Sequence, residues 1–276
     1  MEFQSYGDET GKLVFYFHGA PGAIKEAVFL ADAAKQQHLH IISLHRFSID
    51  SEILDNAYYQ LLSDVIVKHM DTHVTQPKKV DLIGFSIGTH VALEVGKCLG
   101  DKVQTLHLVS AAAPLEAGDF LDNMAGKPVF QLAQKAPSIL KLLTYWQYVL
   151  MKISPNIVFN MLFASAQGRD KDLMVEPEFR SAITGVLDTC FSNDRAGYVR
   201  DVISYITPWQ DRLSSFKAPT HLWHGGSDNW SPVSMAHLLE NQLPNCVAKH
   251  ELDGASHYSC LLESSASICK AIAEQS

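Results

Sequence analysis

The chain predicts an α/β fold: a mostly parallel central sheet flanked by helices, with an inserted helical cap. Three observations predict it. Apolar runs of strand length alternate with helix-periodic segments from residue 13 to 110, and the alternation resumes from 220 to the C-terminal end. The intervening stretch, residues 115–207, is aromatic-rich and helical in pattern throughout. With 276 residues, 47% of them hydrophobic, the chain can bury one sizeable core.

In chain order, the residues before Leu13 leave room for one brief strand. Leu13-Val14-Phe15-Tyr16-Phe17 is an unbroken apolar run, the pattern of a strand covered on both faces. Gly22 to Gln37 has the alanine-rich, 3.6-periodic spacing of a helix, and Leu39–Leu44 reads as a second strand. A helix from Ile53 to about His73 leads through Pro77 into the strand Lys79–Ile83, then a helix from Thr89 to Leu99 and a strand from Val103 to Ser110. The helical stretch beyond has Ile139 to Trp146 as its strongest apolar run, followed on to Met151; with few cations in it, this run reads as packed on the core and not as a membrane-surface segment. After it come a strand at Thr220–His224, a helix at Ser231–Leu243, a strand around Ala248–Leu252 and a closing helix from about Tyr258 to Glu274. Residues 1–114 and 208–276 therefore form the expected core, and 115–207 the cap. No glycine-serine linker separates them, so they are expected to fold together.

Composition excludes several classes. A net charge of −8 without any lysine–arginine run offers no footprint for nucleic acid. The start of the chain lacks a signal-peptide pattern and no apolar run reaches membrane-spanning length, so a cytoplasmic protein is expected. Five scattered cysteines with no C-x-x-C pair read as reduced, packed thiols. His69 and His73 have a zinc-compatible i, i+4 spacing but no glutamate after the first, and read as an exposed helical face. No metal or organic cofactor is expected.

The residues that carry chemistry lie at predicted strand ends. Gly84-Phe85-Ser86-Ile87-Gly88 sits between a strand and a helix, where a serine on a sharp turn is presented as a nucleophile and small neighbours prevent collisions. A serine hydroxyl needs a base and an acid that orients it. His257, in Gly254-Ala255-Ser256-His257, is the base expected from its place after a strand; Asp228, in Gly225-Gly226-Ser227-Asp228-Asn229-Trp230-Ser231-Pro232, is the acid. Asp228 also suits a turn. The turn Phe17-His18-Gly19-Ala20-Pro21-Gly22 places the Ala20 N–H, with that of Ile87 at a helix N-terminus, as donors to a developing oxyanion. His18, His90 and His224 border these motifs and receive no role.

On these residues the chain resembles the α/β-hydrolase superfamily, because HGAPG, GFSIG, GGSDNWSP and GASH fall in that family's order over nearly the whole chain. The resemblance implies the α/β-hydrolase fold, a triad of Ser86, Asp228 and His257, an oxyanion hole at Ala20 and Ile87, and acyl transfer through an acyl-enzyme. The family sometimes places its acid after the preceding strand, which implies Asp119 or Asp122 as alternatives to Asp228. Ser86 departs from the aspartate of epoxide hydrolases and haloalkane dehalogenases, and His45-Arg46-Phe47-Ser48-Ile49 departs from the acidic loop of proline iminopeptidases. The family often has two strands before the first strong one, so this sheet is expected to be trimmed at that edge. The expected activity is that of a serine hydrolase acting on a carboxylic ester or related acyl compound. C–C bond hydrolysis, lyase chemistry, perhydrolysis, or ligand binding without catalysis are the alternatives. The aromatic residues Phe130, Tyr145, Trp146, Tyr148 and Phe159 suggest a largely apolar small-molecule substrate.

Overall fold

A computed structural model describes residues 1–275. The chain opens with β1 (Phe3–Gly7) and β2 (Lys12–Phe17), then a 3₁₀ segment (Ile24–Leu30), α1 (Ala31–Gln36), β3 (Leu39–Leu44), α2 (Asp55–Thr72), β4 (Val80–Phe85), α3 (Gly88–Leu99) and β5 (Val103–Val109). Helices α4 (Lys127–Lys135), α5 (Pro137–Ile153), α6 (Pro155–Leu162), α7 (Asp170–Leu173), α8 (Pro177–Ser192) and α9 (Arg195–Ile206) follow before the chain returns to β6 (Thr220–Gly225), α10 (Val233–Gln242), β7 (Cys246–Leu252) and α11 (His257–Ala273). The seven strands form one sheet in the order β1-β3-β2-β4-β5-β6-β7. All neighbours are parallel except β1, which runs antiparallel along β3. The short N-terminal segment thus supplies the single edge strand for which it has room.

The apolar runs occupy the middle of the sheet because only there are both faces of a strand covered. Val14, Phe15, Leu82, Ile83, Leu106 and Leu108 are fully buried, each burial stabilising the fold by about 1.5–3 kcal/mol. The outer strand β7 contains no buried residue, and Val247, His250 and Glu251 are exposed. Segment 22–37 is not one helix: it is a 3₁₀ stretch followed by the short α1. In that arrangement Glu26, which a surface helix would leave in water, is fully buried and bonded to Tyr16 and Gly19.

The helices between β5 and β6 are tied to the sheet by polar contacts as well as apolar ones. Arg46, in the loop after β3, and Arg200 of α9 both face Asp201 of α9, at 3.1 and 2.9 Å, and all three are buried. Arg200 also donates to the Arg46 and Ile49 carbonyls, and Arg46 donates to the His18 carbonyl. Such a pair withdraws costly charges from water, so its partners hold the two loops and α9 in one arrangement. The Tyr205 hydroxyl donates to the Ala113 carbonyl at 2.8 Å, fixing the far end of α9.

Two surface expectations are corrected. His69 and His73 are not an exposed pair: His69 packs edge-on against Phe3 and Phe15, and the buried His73 lies 3.0 Å from His40. Helix α2 turns that side toward the sheet, which histidine spacing alone does not report. Nor does the run on α5 pack wholly on the core, because Leu140, Thr144 and Met151 face inward while Ile139, Leu142, Tyr145 and Trp146 face solvent.

Several histidines are buried and kept neutral by burial. His90, between Trp209 and Tyr59, has no hydrogen-bond partner on either ring nitrogen and is pushed down to about 3; burial also lowers His18, His107 and His224. An unfolded histidine titrates near about 6.5, so below that pH the unfolded chain binds protons that the folded chain refuses. Stability therefore falls as pH drops from about 6.5 toward 3. Each pH unit through which one such ring stays neutral costs about 1.4 kcal/mol. Glu26, raised by burial to about 7, acts in the opposite sense, as do His45, His257, Asp81 and Asp170, all raised; burial lowers His40, His69, His221 and His250 as well, so the histidines held neutral outnumber them. The melting temperature should fall between pH 7 and 5, and less steeply in His90→Phe, whose ring stays among the same aromatic neighbours without titrating; an equal slope in that variant would overturn the assignment.

Candidate active site

The sharp turn between β4 and α3 places Ser86 in the left-handed region, φ +56°. Such a conformation costs a non-glycine residue about 1–3 kcal/mol and persists only where the surroundings impose it. Here the Ser86 N–H donates to the Val109 carbonyl at 3.0 Å, and the Ser86 carbonyl accepts from Thr89 at 3.0 Å and Ala112 at 3.3 Å. Gly88 has no substitute, because a Cβ there would lie 2.2 Å from the Phe17 carbonyl oxygen and 2.5 Å from that of His18. At Gly84 a Cβ would stand 2.9 Å from that of Ala92, so Gly88 lets α3 sit close under the end of β2 and Gly84 lets it sit close against β4.

Asp228 lies in the loop after β6 and His257 opens α11 after β7, so two adjacent strands deliver them to the same sheet edge as Ser86. Asp228 Oδ2 accepts from His257 Nδ1 at 2.8 Å. Its Oδ1 accepts the N–H groups of Trp230 at 2.8 Å and Ser231 at 2.9 Å. The two readings of Asp228, turn residue and partner of His257, therefore coexist, one oxygen serving each. Burial would push the Asp228 carboxyl up, but the charge and hydrogen bond of His257 outweigh it and hold the group below the usual carboxylate range. For His257, burial pulls down and Asp228 overcompensates, so its pKa is raised. With Asp228 ionised, Nδ1 must carry the hydrogen, leaving Nε2 as the acceptor in the neutral ring.

Contacts around this pair fix its orientation. The His257 ring lies on Trp230 (centroids 5.2 Å apart) and against Phe85 (4.9 Å), and Ser110 Oγ donates to the His257 carbonyl at 2.8 Å. His224 Nε2 meets the Ser231 carbonyl at 2.7 Å and closes the Asp228 loop. Asp170 of α7 accepts the first N–H groups of α11, Tyr258 at 3.1 Å and Ser259 at 2.7 Å, so a residue from the inter-strand helices sets the start of the helix that bears His257. The alternative acids are elsewhere: Asp119 is exposed, and Asp122 is exposed and pairs with Lys127. Ser86 Oγ and His257 Nε2 are not hydrogen-bonded to each other, nor to any other group among the described residues.

The turn after β2 lies across from Ser86. Among the described residues, neither the Ala20 N–H nor the Ile87 N–H has a hydrogen-bond acceptor. The preceding Gly19 N–H is spent on Glu26 Oε2 at 2.8 Å, which also accepts from the Tyr16 hydroxyl at 2.9 Å. Tyr258, next to His257, reaches the other Glu26 oxygen at 3.5 Å. Burial raises Glu26 to about 7, against the opposing pull of these donors and of His257. Sequence reasoning missed Glu26 because a lone glutamate in a helix-like segment carries no signal of burial. It also left His18 without a role; the ring is buried against Arg46 and bonds the Gly19 carbonyl, so it shapes the same turn.

A cavity of about 360 Å³ opens over Ser86. Ala20, Ile87 and Trp230 form its floor on the sheet side, and Met124, Phe130, Leu143, Val158 and Leu187 come from the segment between β5 and β6. Ser165, Ser231 and Gln147 are polar residues of its lining beside Ser86, and Gln147 Oε1 is buried and unpartnered. Of the five aromatic residues that suggested an apolar substrate, only Phe130 lines it. Tyr145 and Trp146 face solvent, Phe159 is stacked on Phe163, and Tyr148 lies under Arg195, because helix periodicity does not tell which side of α5 and α6 meets the cavity. Among the described residues no cluster of His, Cys, Asp and Glu side chains has a metal-binding arrangement, and no helix is long and apolar enough to cross a membrane.

A family model described as the alpha/beta hydrolase family matches residues 14–270. Solved structures with a similar fold include MenH from S. aureus (TM-score 0.68, 18% identity, 99% of this chain and 96% of that one). A lipase-esterase related protein from Clostridium acetobutylicum ATCC 824 is similar at TM-score 0.67 and 13% identity, over 100% and 99% of the two chains. The enol-lactonase from Burkholderia xenovorans LB400 follows at 0.65 and 12%, over 98% and 94%. No curated protein matches the sequence. Identities this low establish the common fold and leave the chemistry to the residues of this chain.

Proposed function

The chain belongs to the α/β-hydrolase family, and on that footing we propose that it is a serine hydrolase cleaving a carboxylic ester or related acyl compound. Ser86 Oγ attacks the acyl carbon while His257 Nε2 takes its proton, and Asp228 holds the Nδ1–H and stabilises the imidazolium that forms. The carbonyl oxygen, now negative, is received by the Ala20 and Ile87 N–H groups, the latter at the N-terminus of α3 where the helix dipole adds to the attraction. The bond to the alcohol breaks as His257 returns the proton to the leaving oxygen. Water then repeats the sequence on the acyl-enzyme. Residues 115–207 act as the cap over the site, and the apolar lining of the cavity favours a substrate with an aliphatic or aromatic acyl or alcohol part.

The observation that carries this reading is the buried Asp228–His257 hydrogen bond beside a serine held at positive φ under one apolar cavity. Ser86 Oγ and His257 Nε2 must close on each other when substrate enters, as such contacts commonly tighten in the occupied enzyme. Reaction with a fluorophosphonate, located by mass spectrometry, tests it: an adduct on Ser86 is expected. Folded protein that takes no adduct would favour the second reading, a ligand-binding homologue, which the missing Ser86–His257 hydrogen bond supports. C–C hydrolysis, lyase chemistry or perhydrolysis would use the same residues, and turnover of esters against diketones separates them.

Glu26 is the positioning residue of this scheme, since its carboxyl accepts the Gly19 N–H beside the Ala20 donor and, where ionised, its charge adds to the pull of Asp228 that raises the His257 pKa. Glu26→Gln removes that charge, so the His257 pKa falls and the acid limb of the kcat/KM profile moves to lower pH, with a reduced plateau. A variant whose plateau drops while the limb stays in place would show that Glu26 acts on the turn alone.

A further inference from the structure

The exposed side of α5 is apolar along its length. Ile139, Leu142, Trp146 and Ile153 are 54, 55, 58 and 72% exposed, and their spacing of three, seven and fourteen residues puts them on one stripe of the helix. Tyr145 borders the stripe, and α6, which packs on α5, adds exposed Ile157 and Met161. Met161 also lines the cavity over Ser86, so the apolar ground runs from the outer surface to the pocket. A chain of net charge −8 would be expected to spread carboxylates here as elsewhere, yet residues 123–169 contain no Asp or Glu and carry Lys127, Lys135, Lys141, Lys152 and Arg169. Lys152 pairs with Asp188 and Arg169 with Glu263, both across to other segments, and Lys127 pairs with Asp122. Lys135 and Lys141 have no ion-pair partner among the described residues.

We propose that this face docks on an anionic phospholipid bilayer. A stripe of Ile, Leu and Trp on a segment that carries lysines and no carboxylate of its own, with Asp188 of α8 beside it neutralised by Lys152, is the composition of a helix lying in a membrane interface. Trp146 and Tyr145 supply the amphipathic rings that settle at headgroup level. The segment's own excess of lysine, of which Lys135 and Lys141 are without an ion-pair partner among the described residues, lets it approach a surface that repels the rest of the chain. A second copy of the chain would bring the same lysines against each other, which disfavours self-association through this face. Docked in this way, the mouth of the cavity at Met161 faces the lipid.

The test is flotation with vesicles of phosphatidylcholine alone and of phosphatidylcholine with phosphatidylserine, using the full chain, Ser86→Ala and the double variant Leu142→Glu/Trp146→Glu. The wild type and Ser86→Ala should float with the anionic vesicles, less so at high salt, with a blue shift of tryptophan emission. The double variant should bind roughly tenfold less or weaker with an unchanged melting temperature, because both positions are exposed and outside the cavity. Because Ser86→Ala is expected to bind, the outcome is independent of whether the chain hydrolyses esters. Wild type that stays in solution with both vesicle types, or a double variant that floats equally, overturns the proposal. A wild-type dimer in sedimentation velocity that the double variant dissociates, with no vesicle binding, would assign the face to self-association instead.

Discussion

Ser86→Ala is expected to lose the fluorophosphonate adduct and to reduce turnover of an activated ester by about 10⁶-fold, while melting at nearly the wild-type temperature. The backbone argument explains why stability should survive. The positive φ of Ser86 is imposed by hydrogen bonds of its own N–H and carbonyl to Val109, Thr89 and Ala112, which alanine keeps. The hydroxyl contributes nothing to the fold, since Oγ bonds no group among the described residues. Activity and stability are thus separable at this position. An adduct that persists in the variant would place the reactive nucleophile elsewhere. Cys260 and Cys269 are poor candidates for it, because burial pushes both thiols up to about 12.

Asp228→Asn should lower kcat by about 10³–10⁴-fold, the second largest effect. The amide can keep the two N–H bonds from Trp230 and Ser231 through its oxygen, so the loop retains its shape. It then turns an NH₂ group toward His257 Nδ1, which favours the tautomer with hydrogen on Nε2, the wrong nitrogen to accept the Ser86 proton. The pH dependence carries a sign. In the wild type, burial lowers the His257 pKa and Asp228 more than compensates; without the carboxylate only the weaker pull of Asp170 and Glu26 opposes burial. The acid limb of the remaining activity should therefore move to lower pH, measured as kcat/KM between pH 5 and 8. An unchanged profile with the full loss of rate would mean that Asp228 orients the ring without influencing its charge.

How much of this was legible in the sequence differs from residue to residue. The strands β2, β4 and β5 read directly, because a strand covered on both faces has no polar alternation to confuse it. Ser86, Asp228 and His257 stood out because glycine and other turn-forming residues beside them mark the ends of strands, and a parallel sheet gathers its strand ends on one edge. Helix α5 is legible as a helix but not in its orientation: an apolar residue on a helix looks the same whether it meets the core, a cavity or water, so nothing in the pattern tells that Trp146 and Tyr145 face outward. The same ambiguity hides the burial of His73.

Glu26 marks the limit most plainly. Its burial depends on Tyr16 and Gly19, at the end of β2 and in the turn after it, and on Tyr258 at the start of the last helix, and no local pattern joins those positions. The same holds for Arg46, Arg200 and Asp201. By itself the sequence determined the alternating α/β architecture, the family and the strand-end residues, because periodicity and turn chemistry act over a few neighbouring residues. The tertiary structure alone decided which charges are buried, which face of each helix meets the cavity, and that Ser86 and His257 stand without a hydrogen bond. Those outcomes depend on groups distant along the chain competing for the same small volume, where desolvation and hydrogen bonding are settled together.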